Sequence, residues 1–146
     1  SAVTGRSLNL CQILQSLRSL SIDHNSPWPL TSHKEIKAIT EHLNRTEQAL
    51  QIFDEVGSDN LKLQYDIYHM QIMEGDLAPT IETHFDRIAH VQIADNPGRH
   101  EPGPGEINYP FLFAHLDRLG YQGWIGAEYK PAGRTQEGLG WLDAAR

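Results

Sequence analysis

Short apolar runs alternate with amphipathic segments through the second half of the chain. Three runs, over 61–66, 88–95 and 123–128, have strand length and strand composition, and each ends on a polar side chain. Between them lie helical patterns. Asn44 is placed to cap a helix, with Glu47 completing a capping-box-like pair. Ala49, Ile52, Phe53 and Val56 then fall at i, i+3, i+4, i+7, and Gly57 suits the stop. A second helix is predicted near Ala78-Pro79, with Leu77, Ile81, Phe85 and Ile88 as its buried stripe. After a polar loop over 96–106, Asn108 caps a third helix whose inward residues are Leu112, Phe113, Leu116 and Leu119, and Gly120 ends it. Strands alternating with helices predict an α/β fold with parallel strands, in a sheet or a barrel.

Residues 1–43 carry no such order. Positions 8–20 fit an amphipathic helix with Leu10, Ile13, Leu14 and Leu17 on one face, and Ser26-Pro27-Trp28-Pro29 breaks the chain. Positions 31–42 give a weak helical pattern with few large apolar residues, and no strong strand stands out. The expected organisation is therefore an atypical helical or irregular segment over 1–43 and a regular strand–helix region over 44–146.

Composition narrows the class. With 146 residues the chain is one ordinary domain, or roughly half of a (β/α)8 barrel of ~250 residues. A formal net charge of −7 opposes a nucleic-acid backbone as partner, because neutralising phosphates takes clustered Lys and Arg. A small anionic substrate needs only one or two local cations. The single cysteine, Cys11, allows no internal disulfide and fits a reducing compartment. No apolar run reaches the ~18–20 residues of a membrane span, and the first residues lack the apolar stretch of a signal peptide. A cytoplasmic protein without membrane partner is the expectation.

The polar residues at the strand ends are the candidate chemistry. In parallel α/β folds the carboxyl ends of the strands converge on one site. Asp66 would follow a buried run, where a carboxylate needs compensation by a cation, a helix amide or a salt bridge. Gln92 offers a neutral amide oxygen, a legitimate ligand for a hard metal, although a buried glutamine is more often structural. His90 shares its face by strand alternation, and Gln92 lies nearer the carboxyl end. Glu128 ends the third run, with a salt bridge to Lys130 or Arg134 as its plain alternative. His69, in the expected loop after Asp66, is placed to contact a substrate oxygen. Arg99, in the loop after Gln92, is the candidate to grip a substrate carboxylate with its planar fork, against the alternative of a solvated arginine. Glu106 would order that loop or favour the positive end of the next helix. Oxygen ligands without thiolates favour Mg²⁺ or Mn²⁺ over Zn²⁺.

Four stretches carry a resemblance. They are Gln64-Tyr65-Asp66-Ile67-Tyr68-His69-Met70-Gln71, His90-Val91-Gln92-Ile93-Ala94-Asp95-Asn96-Pro97-Gly98-Arg99-His100-Glu101-Pro102-Gly103, Gly105-Glu106-Ile107-Asn108-Tyr109 and Gly123-Trp124-Ile125-Gly126-Ala127-Glu128-Tyr129-Lys130-Pro131. Over about residues 42–146 the chain resembles the hydroxypyruvate isomerase family, of the xylose-isomerase-like (β/α)8 barrels. The resemblance implies a partial TIM barrel comprising its last three βα units. It also implies interconversion of hydroxypyruvate and tartronate semialdehyde through an enediolate. Asp66, Gln92 and Glu128 match metal ligands, Glu128 also matches one of two catalytic acid/bases, and His69 matches a substrate-oxygen contact.

The family's other catalytic glutamate ends the preceding barrel strand, which should fall just before residue 42. Here Thr31-Ser32-His33-Lys34-Glu35-Ile36-Lys37-Ala38-Ile39-Thr40-Glu41 stands instead, without a strand pattern, and neither Glu35 nor Glu41 follows a β-run. Residues 1–41 look unlike the family, as if a truncated or frame-disrupted stretch preceded an intact carboxyl half. A related isomerase of a four-carbon 2-oxo sugar acid is the nearest alternative activity. A non-catalytic remnant, or a homo-oligomer that covers the open strand edges, is the alternative of a different class.

Overall fold

In the computed structural model the described residues are 7–8, 43–57, 59 and 61–144. The helical pattern over 31–42, the break at Ser26-Pro27-Trp28-Pro29 and all but the first residue of the pattern over 8–20 lie outside them. The chain forms two compact units, residues 1–64 and 65–146.

In the first unit, β1 (Ser7–Leu8) pairs in parallel with the start of β2 (Lys62–Asp66), Ser7 opposite Lys62 and Leu8 opposite Leu63. Leu8 is thus a strand residue rather than the start of a helix. Its partner lies more than fifty residues away in sequence, beyond the reach of a local pattern. Helix α1 (Thr46–Val56) buries Thr46, Ala49, Leu50 and Phe53. The spacing is the expected one, but the face is set three residues earlier: Ile52 is only half-buried and Val56 is exposed. The cap also differs. Arg45 is the cap residue, and the side-chain oxygen of Gln48, not Glu47, accepts from the amides of Asn44 and Arg45 at 2.9 and 3.0 Å. Gly57 ends the helix in the left-handed region at φ 64°, as expected, and its N–H reaches the Phe53 carbonyl.

The second unit starts within β2 and continues through α2 (Ile67–Met73), α3 (Leu77–Thr83), a 3₁₀ turn at Phe85–Arg87 and β3 (Ile88–Ile93). Then come α4 (Tyr109–Leu119), β4 (Trp124–Ala127), a 3₁₀ turn at Thr135–Gly138 and α5 (Trp141–Ala144). Strands β2, β3 and β4 follow one another across the sheet in sequence order, and β3 and β4 run parallel with Gln92 opposite Gly126. This is the strand–helix alternation of a partial (β/α)8 barrel.

The stripe expected for the second helix is interrupted. Ile81 is fully buried on α3, but the helix stops at Thr83, so Phe85 falls in the 3₁₀ turn and Ile88 opens β3. Helix α4 matches its sequence signals closely. The Asn108 side chain accepts from the Phe111 amide at 3.2 Å, Leu112 and Leu116 are buried, Phe113 and Leu119 are half-buried, and Gly120 closes the helix at φ 78°. Packing of α3 on α4 includes a buried polar contact: His115 Nε2 donates to the Ala78 carbonyl at 3.1 Å, leaving Nδ1 to accept from Arg118 at 3.0 Å.

Alternation along β3 sets up the site. Val91 and Ile93 are buried in the core with Ile81, Ala94, Leu112 and Leu116, whereas His90 and Gln92 share the opposite, half-buried face. β4 is the last strand in the order, and its Trp124 is 84% exposed. Among the described residues no helix is long and apolar enough to cross a membrane.

Candidate active site

Asp66 does two jobs at one residue. It ends β2 and caps α2, with Oδ1 accepting from the His69 amide at 3.2 Å. His69 therefore sits in the first turn of a helix rather than in a loop, and its Nε2 lies 3.7 Å from Asp66 Oδ2. Burial pushes the Asp66 carboxyl above the ordinary aspartate range; His69 and Arg99 pull it back and Glu128 pushes it further up.

Gln92 and His90 face the same way, toward β4. A Cβ at Gly126 would stand 2.8 Å from His90 Nε2 and 3.9 Å from Gln92 Cγ, so the missing side chain there makes room for the imidazole. Burial holds His90 below the usual histidine range, favouring the neutral ring. Glu128 follows β4 immediately; its N–H donates to the Ile93 carbonyl at 3.0 Å, which extends the parallel ladder by one bond. Its side chain is 58% exposed.

Arg99 and Glu128 meet. Arg99 Nη2 pairs with Glu128 Oε2 at 2.7 Å, Nε donates to the Glu128 main-chain carbonyl at 3.2 Å, and the guanidinium lies 5.4 Å from the centre of the Tyr68 ring. Glu128 thus pairs with neither Lys130 nor Arg134, the latter being bound to Glu137. Arg99 is not a solvated loop arginine, and in this structure its fork grips the expected metal ligand.

The loop that carries Arg99 is fixed from beneath. Asp95, 1% exposed, accepts from the amides of Asn96, Gly103, Gly105 and Ile107. The Glu106 carboxylate joins it to α2, taking hydrogen bonds from Asn96 and Gln71. The expectation that Glu106 orders the loop holds. The sequence pattern carries no mark of Tyr68, Asp95 or Glu101 beyond the adjacency of Tyr68 to His69, and nothing local shows Asp95 or Glu101 to be buried. Among the described residues no group of three His, Cys, Asp or Glu side chains is gathered to hold a metal; the oxygen donors at the three strand ends are Asp66, Glu128 and the Gln92 amide.

A family model described as xylose isomerase-like TIM barrel matches residues 33–145. The chain belongs to this family. Its relatives include the hydroxypyruvate isomerase of Escherichia coli, 56% identical over 105 residues, which are 72% of this chain and 41% of that protein. A 2-oxo-tetronate isomerase of Cupriavidus necator is 54% identical over 100 residues, covering 68% of this chain and 38% of that protein. A solved structure from Brucella melitensis, described as an AP endonuclease of family 2, superposes with a TM-score of 0.66 at 47% identity, over 68% of this chain and 39% of that one. The chain spans about two fifths of the length of these family members.

Proposed function

We propose that this chain carries part of the active site of a hydroxypyruvate isomerase, which interconverts hydroxypyruvate and tartronate semialdehyde. The observation that carries the reading is a pair of contacts at neighbouring strand ends, Asp66 beside His69 and Glu128 paired with Arg99, linked by the Arg99 guanidinium lying over the Tyr68 ring. The 56% identity to a protein named for that activity supports it.

The donor set suits a hard divalent cation, Mg²⁺ or Mn²⁺. Two carboxylates and an amide are oxygen donors, and they leave much of a six-coordinate shell to water or substrate. Arg99 supplies the positive charge that Glu128 would otherwise take from the metal. When bound, the metal would polarise the substrate carbonyl and make the neighbouring carbon more acidic.

The chain's own residues do the rest. Arg99 turns its fork to the substrate carboxylate, for which its reach across the site suits it. Glu128 serves as one of two acid/bases: one takes a proton from the hydroxyl-bearing carbon and the other gives one to the former carbonyl carbon, while the hydroxyl proton passes to the other oxygen, so the product is an isomer and no co-reactant is consumed. His69, held at the helix start by Asp66, hydrogen-bonds the substrate oxygen. The stretch in which the resemblance places a second acid/base, before residue 42, lies outside the described residues.

Hydroxypyruvate turnover by the chain with Mn²⁺ or Mg²⁺, beside Glu128→Ala, tests the reading. A loss of about 10²–10⁴-fold in the variant is expected for removal of an acid/base; equal turnover in both would refute it. The near-equal identity to a 2-oxo-tetronate isomerase favours a second substrate class, a four-carbon 2-oxo sugar acid handled by the same residues. Comparing kcat/KM for the two acids decides between them. A cytoplasmic location belongs to the same reading and rests on the lone cysteine. A second copy of the chain is the partner that would cover the outer edge of β4.

A further inference from the structure

Past Ala127 no strand or helix supports the chain until residue 135, yet Glu128 has to be held in place. Beyond the single ladder bond from the Glu128 amide to Ile93, a row of contacts from three consecutive loop residues holds this segment. Arg99 Nε donates to the Glu128 carbonyl, and the Arg99 carbonyl accepts from the Lys130 amide at 2.7 Å. His100 Nδ1 donates to the Lys130 carbonyl at 2.8 Å. Glu101 takes the Ala132 amide between its two carboxylate oxygens, at 3.2 and 3.1 Å. The row advances one residue in the loop for two residues after the strand.

Glu101 is the anomalous member. It is a carboxylate only 8% exposed, buried together with its neighbour Pro102 in a loop whose other residues are half-buried or exposed. Burying an ionised carboxylate is costly unless it is paired or hydrogen-bonded. Here it is spent on a backbone amide, and Oε1, one of the two oxygens that take that amide, also lies against Gly138, where an added Cβ would collide with the carboxylate. One buried side chain therefore touches the chain four and ten residues beyond Glu128. It serves the path of the segment that begins at Glu128.

We infer that Glu101 is a positioning residue: by anchoring Ala132 and seating Gly138, it fixes the course of the segment after β4 and keeps Glu128 in reach of Arg99 and Asp66. The role bears on catalysis through the proposed isomerase reading of Glu128, and its test separates the two. Glu101→Ala removes the acceptor. Glu101→Gln keeps an acceptor oxygen of the same length. Gly138→Ala displaces the carboxylate without altering it.

The first readout is nitrogen-15 NMR of the Arg99 Nε–H and of the Lys130 and Glu128 amides. Exchange protection at these groups should fall in Glu101→Ala and Gly138→Ala and return in Glu101→Gln, while His115, on α4, keeps its signals as a check on folding. The second readout is Mn²⁺ binding followed by the electron paramagnetic resonance of the free ion. Outer partners of metal ligands commonly contribute about 10–100-fold in affinity, and a loss of that size is expected in Glu101→Ala with recovery in Glu101→Gln. Unchanged protection at Arg99 and Glu128 in both disrupting variants would overturn the positioning role. Protection lost as expected in a chain that binds no Mn²⁺ would leave Glu101 as the anchor and remove the metal-isomerase reading instead.

Discussion

Arg99 and Glu128, 29 residues apart, form a side-chain pair at 2.7 Å that is reinforced by a second bond from the same guanidinium to the glutamate's own main chain. The residue expected to hold a substrate acid and the residue expected to move its proton are thus in direct contact. An entering substrate carboxylate would compete with Glu128 for the same fork.

Arg99→Ala should therefore lower kcat/KM for hydroxypyruvate. Charge-assisted hydrogen bonds contribute about 1.5–3 kcal/mol, which corresponds to about 10–100-fold. Arg99→Lys should recover little of this, since an ammonium cannot span two acceptors as a planar fork does. Steady-state kinetics of both variants provide the check, and full recovery by lysine would show that charge alone suffices.

Asp66 gives a pH-dependent outcome. Its carboxyl is raised above the ordinary range, mainly by burial, so the folded metal-free chain binds more protons than the unfolded chain between the unfolded and folded values. Stability is then lost as pH rises through that interval. Asparagine caps a helix as well as aspartate does. Asp66→Asn should accordingly melt higher than the parent near pH 7 without metal, with the advantage fading as the pH falls below the ordinary aspartate value. Mn²⁺ should raise the melting temperature of the parent more than that of the variant. Thermal melts across pH, with and without Mn²⁺, test both statements.

Asp95→Asn should be severe. Asparagine has one acceptor oxygen for the amides of Asn96, Gly103, Gly105 and Ile107, and its NH₂ would face donors. A destabilisation of about 3 kcal/mol or more is expected for a buried polar hub broken in this way. Urea unfolding measures it, and a change below about 1 kcal/mol would mean that the loop's own turns hold it.

Gly126→Ala should destabilise the chain by about 1–3 kcal/mol, the usual cost of forcing a methyl into occupied space, because the new Cβ meets His90 Nε2 at 2.8 Å. Trimming the ring in Gly126→Ala/His90→Ala should make the pair less destabilised than the sum of the single changes. A double variant that is simply additive would separate the two residues.

The sequence pattern located what local chemistry determines. Asp66, Gln92 and Glu128 fall at strand ends as expected, and α4 lies between the cap and the glycine that mark it. Helix α2 was missed because no linker separates it from β2: a single aspartate closes the strand and caps the helix, so the apolar run over 67–73 offers no break to read. The burial of Asp95 and Glu101 was illegible for another reason. Their partners are backbone amides, which every residue possesses, and which amides face a carboxylate depends on the folded path of the loop. The Arg99–Glu128 contact likewise depends on the parallel register of β3 and β4, which brings distant strand ends together.

The absence of any linker at Asp66 also constrains how this stretch can vary in length. Each residue added between Asp66 and His69 would turn the imidazole by about 100° around the helix axis and away from the carboxylate. Substitutions there change the chemistry by degrees, but an insertion or deletion removes His69 at once. The loop over 97–105 has no helical period, but Asp95 holds its Gly103 and Gly105 amides while Arg99, His100 and Glu101 are bonded to the segment after β4. Length should therefore be kept on both sides of the site, by the turn of a helix on one and by a set of backbone bonds on the other.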